Sequence, residues 1–256
     1  MSDPRLLKLL PWLVLVAFLV LWEIGCRVLA IPTFILPPPS LVWGAFLQYF
    51  WPILGHAWQT LMTTMVGFGI AVVFGMLLGI AVGTSRVVYE AIYPLMVGFN
   101  AVPKVAVVPV LIIWFGIGTK PAIITAFLIS FFPIVVNVAT GLATIEPELQ
   151  DVLRSLGARK SQIIWKVGVP RAMPYFFAAL KVAITLAFVG SVISETVAAN
   201  AGIGYLMMQA SSNLNAPLVF AGLVVLAFLG VVLYEVFAFL ERRVTFWATR
   251  AHDVVS

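Results

Sequence analysis

The run LMTTMVGFGIAVVFGMLLGIAV occupies Leu61–Val82. It contains no Asp, Glu, Lys or Arg, and eleven of its residues are Leu, Ile, Val or Phe. At a bilayer centre each such residue favours insertion by roughly 0.3–0.6 kcal/mol, about 3–7 kcal/mol together before the glycines and threonines subtract. About 20 residues of helix cross the hydrocarbon core, so this stretch predicts a transmembrane helix. The rest of the chain is read outward from it.

The composition agrees. Of 256 residues, 62% are hydrophobic and 10% charged, whereas soluble domains hold nearer half and a quarter. A chain this small cannot hide so much apolar surface in a core of its own. Apolar runs predict spans at Leu9–Ile31, Gln59–Val82, Tyr89–Ile117, Pro121–Ala143, Pro174–Val197 and Pro217–Leu240. The expected fold is an all-α polytopic membrane protein of about six spanning helices in one domain, residues 1–256, with lipid around it. Pro94, Pro103 and Pro109 interrupt the third span. Proline removes a backbone donor, so this helix is expected to be broken or kinked where protein or a cavity covers it.

Near the N-terminus, Val28-Leu29-Ala30 and Gly25-Cys26 resemble processing sites. The apolar run continues through Glu23 and Arg27, and an acid three residues before the cysteine does not suit a lipoprotein signal. The segment is therefore read as a retained first span. The single cysteine, Cys26, permits no internal disulfide.

With the N-terminus inside, eleven of the fifteen Lys and Arg fall on cytoplasmic pieces: Arg5, Lys8, Arg86, Arg154, Arg159, Lys160, Lys166, Arg171, Arg242, Arg243 and Arg250. Arg27 and Lys120 fall outside, and Lys104 and Lys181 lie within spans. The positive-inside rule then places both termini in the cytoplasm. The net charge of +5 marks orientation and not a nucleic-acid partner. Between Pro32 and Trp58, Trp43, Phe46, Tyr49, Phe50 and Trp51 suit a segment in the headgroup layer.

Residues Thr144–Met173 read as two short helices between spans four and five. Pro147 suits a first helical position, with Glu146 and Glu148 at the positive end of the helix dipole. Leu149, Val152, Leu153 and Leu156 form an apolar stripe, and Gly157 is placed as a C-terminal stop. The second helix is expected from Ser161 until Pro170 ends it. An amphipathic linker resting on the membrane and a docking element both fit this pattern.

This loop resembles that of the permease subunits of bacterial binding-protein-dependent ABC importers, whose pattern is Glu-Ala-Ala, three residues, Gly, nine residues, Ile-x-Leu-Pro. Here Gly157 is followed by nine residues and then Val167-Gly168-Val169-Pro170, while the triplet falls on Asp151-Val152-Leu153, where only its acidic character survives. Pro103-Lys104-Val105-Ala106, Trp114-Phe115-Gly116-Ile117-Gly118, Lys181, Glu195 and Gly202-Ile203-Gly204-Tyr205-Leu206 are similar to the nitrate, sulfonate and taurine subfamily. The resemblance implies a bacterial inner-membrane permease acting as a homodimer, with two ABC ATPase subunits and an extracytoplasmic solute-binding protein. It also implies that Asp151, Leu153, Gly157 and Pro170 belong to an ATPase-coupling element, and that ATP and Mg bind on the partner ATPase, leaving this chain without a cofactor. Its implied solute is nitrate, taurine or an alkanesulfonate; the permeases for thiamine-precursor pyrimidines and similar heterocycles look alike.

Ionisable residues within spans need a partner, water or a route to the surface, because a charge at a helix centre costs roughly 2.5–3.5 kcal/mol. Glu23, Glu90 and Glu235 are expected to snorkel or pair locally. Lys104 follows the break at Pro103, where a cation lining a solute path would suit an anion. For Lys181, snorkelling, a path-facing position and helix pairing all remain open, and it cannot reach Glu195 along one helix. Lys104, Lys181 and Glu195 are the candidate translocation-path residues. Asn100 and Asn137 are expected to bond between helices, Gly67, Gly69, Gly75 and Gly79 to allow close packing, and His56 and His252 to be solvated.

Catalytic readings fail on the same residues. No span carries a histidine or a Gly-x-Ser-Gly site, and Asp3, Asp151 and Asp253 all fall outside the spans. No His pair or acidic cluster offers a metal site. Gly116-Ile117-Gly118-Thr119-Lys120 lacks phosphate-loop spacing. A secondary transporter coupled to an ion fits six spans, but it has no need of the helix pair at 144–173.

Overall fold

The computed structural model describes residues 4–143 and 147–246. The expectations for Asp3, Glu146, Arg250, His252 and Asp253 fall outside them. Every regular element among the described residues is helical. Helix α1 (Pro4–Val28) leads to a short α2 (Pro39–Gln48), then to α3 (Phe50–Thr84) and the paired α4 (Arg86–Ala101) and α5 (Lys104–Phe115). Helix α6 (Thr119–Ala143) is followed by α7 (Pro147–Ser155), α8 (Lys160–Ile163) and a π-helical turn (Ile164–Gly168). Helices α9 (Val169–Ala198), α10 (Ile203–Ser212) and α11 (Ala216–Val244) complete the order. Among the described residues five helices are long and apolar enough to cross a membrane, and six spans result when the bent α4–α5 pair counts as one.

The core is a seam of small residues. A Cβ added at Gly67 would stand 2.6 Å from Ala126 Cβ; at Gly75, 2.8 Å from Ile134 Cβ; at Gly79, 2.7 Å from Val138 Cβ. Both series ascend together, so α3 and α6 run parallel with their backbones too close for any side chain between them. Parallel neighbours require the chain to recross between them, and α4–α5 does so with a bend of 89°. The bend falls at Val102-Pro103. Pro94 and Pro109 are accommodated inside α4 and α5. Of the four expected packing glycines, Gly69 faces open space, and Gly83 takes its place against Ala139.

Two boundaries differ from expectation. Helix α3 has 35 residues and starts at Phe50 instead of Gln59, which carries His56 into a helix. The segment after α7 does not end at Pro170. Val169 N–H bonds Ile164 O, five residues back, and this widened turn lies immediately before Pro170, whose missing N–H would otherwise interrupt the regular hydrogen-bond ladder of the helix. Residues Ser161–Val197 thus form one continuous apolar helix. Asn137 bonds the Pro133 carbonyl of its own helix, and Asn100 accepts from Lys104 across the bend, so neither bridges separate spans as expected.

Helix α1 is attached at one end. Ser40 N–H donates to Glu23 Oε2 at 3.0 Å, at the start of α2, and Arg27 holds Glu23 Oε1 at 2.6 Å. Glu90 pairs with Arg86 at 2.9 Å, one turn away.

The seam makes the packing testable. Gly79→Leu should lower the thermal stability of the detergent-solubilised protein by about 1–3 kcal/mol, the usual cost of overpacking, whereas Gly69→Ala should leave it unchanged. Equal effects from the two, read by fluorescence-monitored melting, would contradict the seam.

Candidate functional site

Helix α9 carries a carboxyl group three residues before its end, at Glu195, which is 1% exposed. A buried carboxyl without partners costs several kcal/mol, and here donors arrive from three helices. Thr60 Oγ1 of α3 donates to Oε2 at 2.8 Å, and Gly204 N–H of α10 donates to the same oxygen at 3.2 Å. Thr63 Oγ1 and Ser191 Oγ stand 3.1 and 3.3 Å from Oε1 and 2.7 Å from each other.

The same cluster caps α10. A helix start leaves its first N–H groups without intrahelical acceptors. Gly202 N–H donates to His56 Nδ1 at 3.1 Å, Ile203 N–H to Thr60 Oγ1 at 2.8 Å, and Gly204 N–H to Glu195. The glycines follow from this closeness. Gly202 has φ +109°, and a Cβ there would stand 2.3 Å from the Glu195 carboxyl carbon; one at Gly204 would stand 2.6 Å from Val192 O. Thus Gly202-Ile203-Gly204 and Glu195, 7 to 9 residues apart in sequence, form one site. His56 joins it unannounced, because the sequence placed it in a loop.

Lys181 is not next to Glu195. Its Nζ meets Glu241 Oε2 of α11 at 2.5 Å, both side chains about three-quarters buried. Its charge is balanced within the chain. Glu241 lies just beyond the expected sixth span, so a sequence search confined to the spans passes over it. Lys104 stands at the start of α5 and donates to the backbone carbonyl and, at 2.8 Å, to Oδ1 of Asn100.

At the opposite end of α9 from Glu195, α7 closes in a Schellman turn. Gly157 (φ +84°) donates to Arg154 O, and Ala158 N–H donates to Leu153 O, both at 2.9 Å. Leu153, Leu156 and Gly157 line a hollow of about 360 Å³ with Ile163 and Val167. Leu156 is 79% exposed and Val152 56%, while Leu149 and Leu153 are half-buried, so part of the apolar stripe is uncovered among the described residues. Asp151 is exposed and sits 3.6 Å from Arg154, a contact worth little in water. Pro170 lies in the first turn of α9, outside this hollow. No group of three or more His, Cys, Asp or Glu among the described residues could hold a metal.

The Gly202 geometry predicts a sharp response. Gly202→Ala adds strain at positive φ and a collision with Glu195, and should cost about 1–3 kcal/mol of stability. Gly55→Ala, in open space, is the control, and equal melting temperatures for both variants would refute the cap.

Residues 71–246 match the family of binding-protein-dependent transport system inner membrane components. The chain is 34% identical over 239 residues to the riboflavin transport system permease protein RibX of Chloroflexus aurantiacus, covering 91% of this chain and 88% of that one. It is 30% identical over 233 residues to the taurine transport system permease protein TauC of Escherichia coli (88% and 84% covered). The formylaminopyrimidine transport permease protein ThiX of Halalkalibacterium halodurans is 29% identical over 237 residues (93% and 95%). In fold, the chain superposes on a chain of the inward-facing MetNI methionine ABC transporter with a TM-score of 0.69 at 23% identity, covering 77% of this chain and 98% of that one. A seam-packed helical bundle, an uncovered helix–turn element and a family match across most of the chain lead to one conclusion: this protein belongs to the inner-membrane permease components of binding-protein-dependent ABC importers.

Proposed function

We propose that this permease moves a small solute of the taurine or alkanesulfonate type into the cytoplasm, driven by a separate ATPase that seats on α7. The observation that carries the coupling role is the uncovered hollow at Leu153, Leu156 and Gly157, at the foot of a helix that continues without a break into the membrane. A stiff junction transmits displacement, where a flexible tether would absorb it. ATP and Mg reside on that partner, two copies of which serve a homodimer of this chain, and an extracytoplasmic binding protein delivers the solute. Both termini lie in the cytoplasm, in keeping with eleven basic residues on that side against two outside.

The taurine relative and the 'Putative aliphatic sulfonates transport permease protein SsuC' of Bacillus subtilis, 27% identical over 229 residues, support the solute class. A heterocyclic solute is the second reading. It draws on the riboflavin and formylaminopyrimidine relatives and on the loss of Lys181 as an uncompensated cation.

In the purified complex, Gly157→Trp and Leu153→Asp should abolish solute-stimulated ATP hydrolysis while the chain still inserts; normal stimulation in both would remove the coupling role. The native mass of that complex gives the copy number, and a second, unrelated permease in it would contradict the homodimer. Lys104→Met tests the anion directly. If Lys104 meets the solute, the half-saturating taurine concentration should rise about five- to tenfold, corresponding to roughly 1–1.4 kcal/mol, and more at low ionic strength. Unchanged taurine uptake would leave Lys104 outside the path.

A further inference from the structure

Helix α10 has two faces, and only one is used for packing. Ile203, Leu206 and Ala210 are buried in a cluster with Ile53 and Ala57 of α3 and with Leu218 and Ala221 of α11. Tyr205, Met208, Gln209 and Ser212 recur at i, i+3, i+4 and i+7 on the other side. With Thr196 of α9 and Asn213 they line an open cleft of about 450 Å³. This is the volume of a small-solute site.

The polar groups of that cleft have a particular character. Among the described residues no Lys or Arg lines it, and the one acid that does, Glu195, is buried with its oxygens occupied. Thr196 and Ser212 give their protons to backbone carbonyls, at 2.7 and 3.0 Å, and keep acceptor lone pairs. Among the described residues neither the Gln209 carboxamide nor the Tyr205 hydroxyl makes a hydrogen bond. An unpartnered carboxamide is costly against hydrocarbon, so this face belongs to water, to a second subunit or to a ligand. Its rotation is held by the cap, because Gly202 and Gly204 lock the start of α10 onto Glu195, Thr60 and His56.

We infer that the Tyr205–Gln209–Ser212 face of α10, with Thr196, is a solute-contact surface that holds a small polar solute by neutral hydrogen bonds without a counter-charge, and that Glu195 is its positioning residue. This rests on the importer reading and specifies its recognition chemistry. Sulfonate oxygens and ring carbonyls both accept from the Gln209 amide and the Tyr205 hydroxyl, while an amine or a ring N–H donates to the free lone pairs of Thr196 and Ser212, so taurine and riboflavin are both used as probes.

The experiment uses the full importer, co-expressed with its ATPase and binding protein and reconstituted in liposomes, in a Cys26→Ser background. An impermeant maleimide should label Gln209→Cys and Ser212→Cys rapidly and the buried Leu206→Cys slowly, and the transported probe should slow the first two. Gln209→Leu should raise the half-saturating concentration of that probe about three- to tenfold, as for a lost neutral hydrogen bond, with no dependence on ionic strength. Glu195→Gln should retain labelling at position 209 but not its slowing by probe, whereas a purely structural role predicts that both survive or fail together. The inference is overturned if position 209 stays unlabelled, if Gln209→Cys cross-links between two copies, or if the Gln209→Leu effect grows at low salt. If the unmodified complex shows no ATP hydrolysis stimulated by either probe while positions 209 and 212 still label faster than 206, the solute assignment fails and the accessible surface stands.

Discussion

A carboxyl group placed among helices, away from water, has to be surrounded by donors or the helices part. Glu195 meets that condition with hydroxyls from α3 and α9 and an amide from α10, and each donor constrains its own helix. An apolar side chain of similar size would fill the space without directing anything. The carboxyl instead sets the depth of α3 against α9 to within one turn and turns the start of α10 toward them. The glycines at 202 and 204 are a consequence of that approach, since a side chain at either would occupy the space of the carboxyl or of the α9 backbone. A buried polar cluster of this kind contributes through geometry more than through net energy.

The second constraint is the parallel packing of α3 on α6. Without side chains at 67, 75, 79 and 83 the two backbones meet along most of their length, and dispersion replaces the hydrophobic drive that lipid cannot supply. Parallel packing forces the intervening chain back across, and Pro103 marks where it turns. The third long element is the helix over Ser161–Val197, 37 residues or roughly 55 Å at 1.5 Å per residue. It holds the hollow beside α7 at one end and Glu195 at the other, so one continuous helix reaches from the hollow to the capped helix. The π turn sits immediately before Pro170, and Pro174 is accommodated inside α9.

Several features were readable from residue patterns because their physics is local. The span at Leu61–Val82, the break at Pro103 and the stop at Gly157 depend on neighbours within a few positions. Misjudged features depend on partners far along the chain. Gly69 and Gly83 look alike in sequence, yet only Gly83 meets α6. Lys181 left snorkelling, a path-facing position and helix pairing open, and only the arrival of Glu241 within 2.5 Å from another helix selects pairing. His56 looked like a loop histidine because α3 begins nine residues earlier than its apolar run. Pro170 looked like a terminator because the widened turn before it has no composition of its own.

Hydropathy, proline placement and the distribution of basic residues determined a helical membrane protein of about six spans, with an amphipathic element between the fourth and fifth. Those properties follow from transfer free energies and backbone chemistry that each segment carries independently. Which glycines are contacts, which charges cancel and what Glu195 does were decided by tertiary structure alone. They concern distances between residues as far apart as Thr60 and Glu195, and a distance between helices is fixed by packing that no single segment encodes.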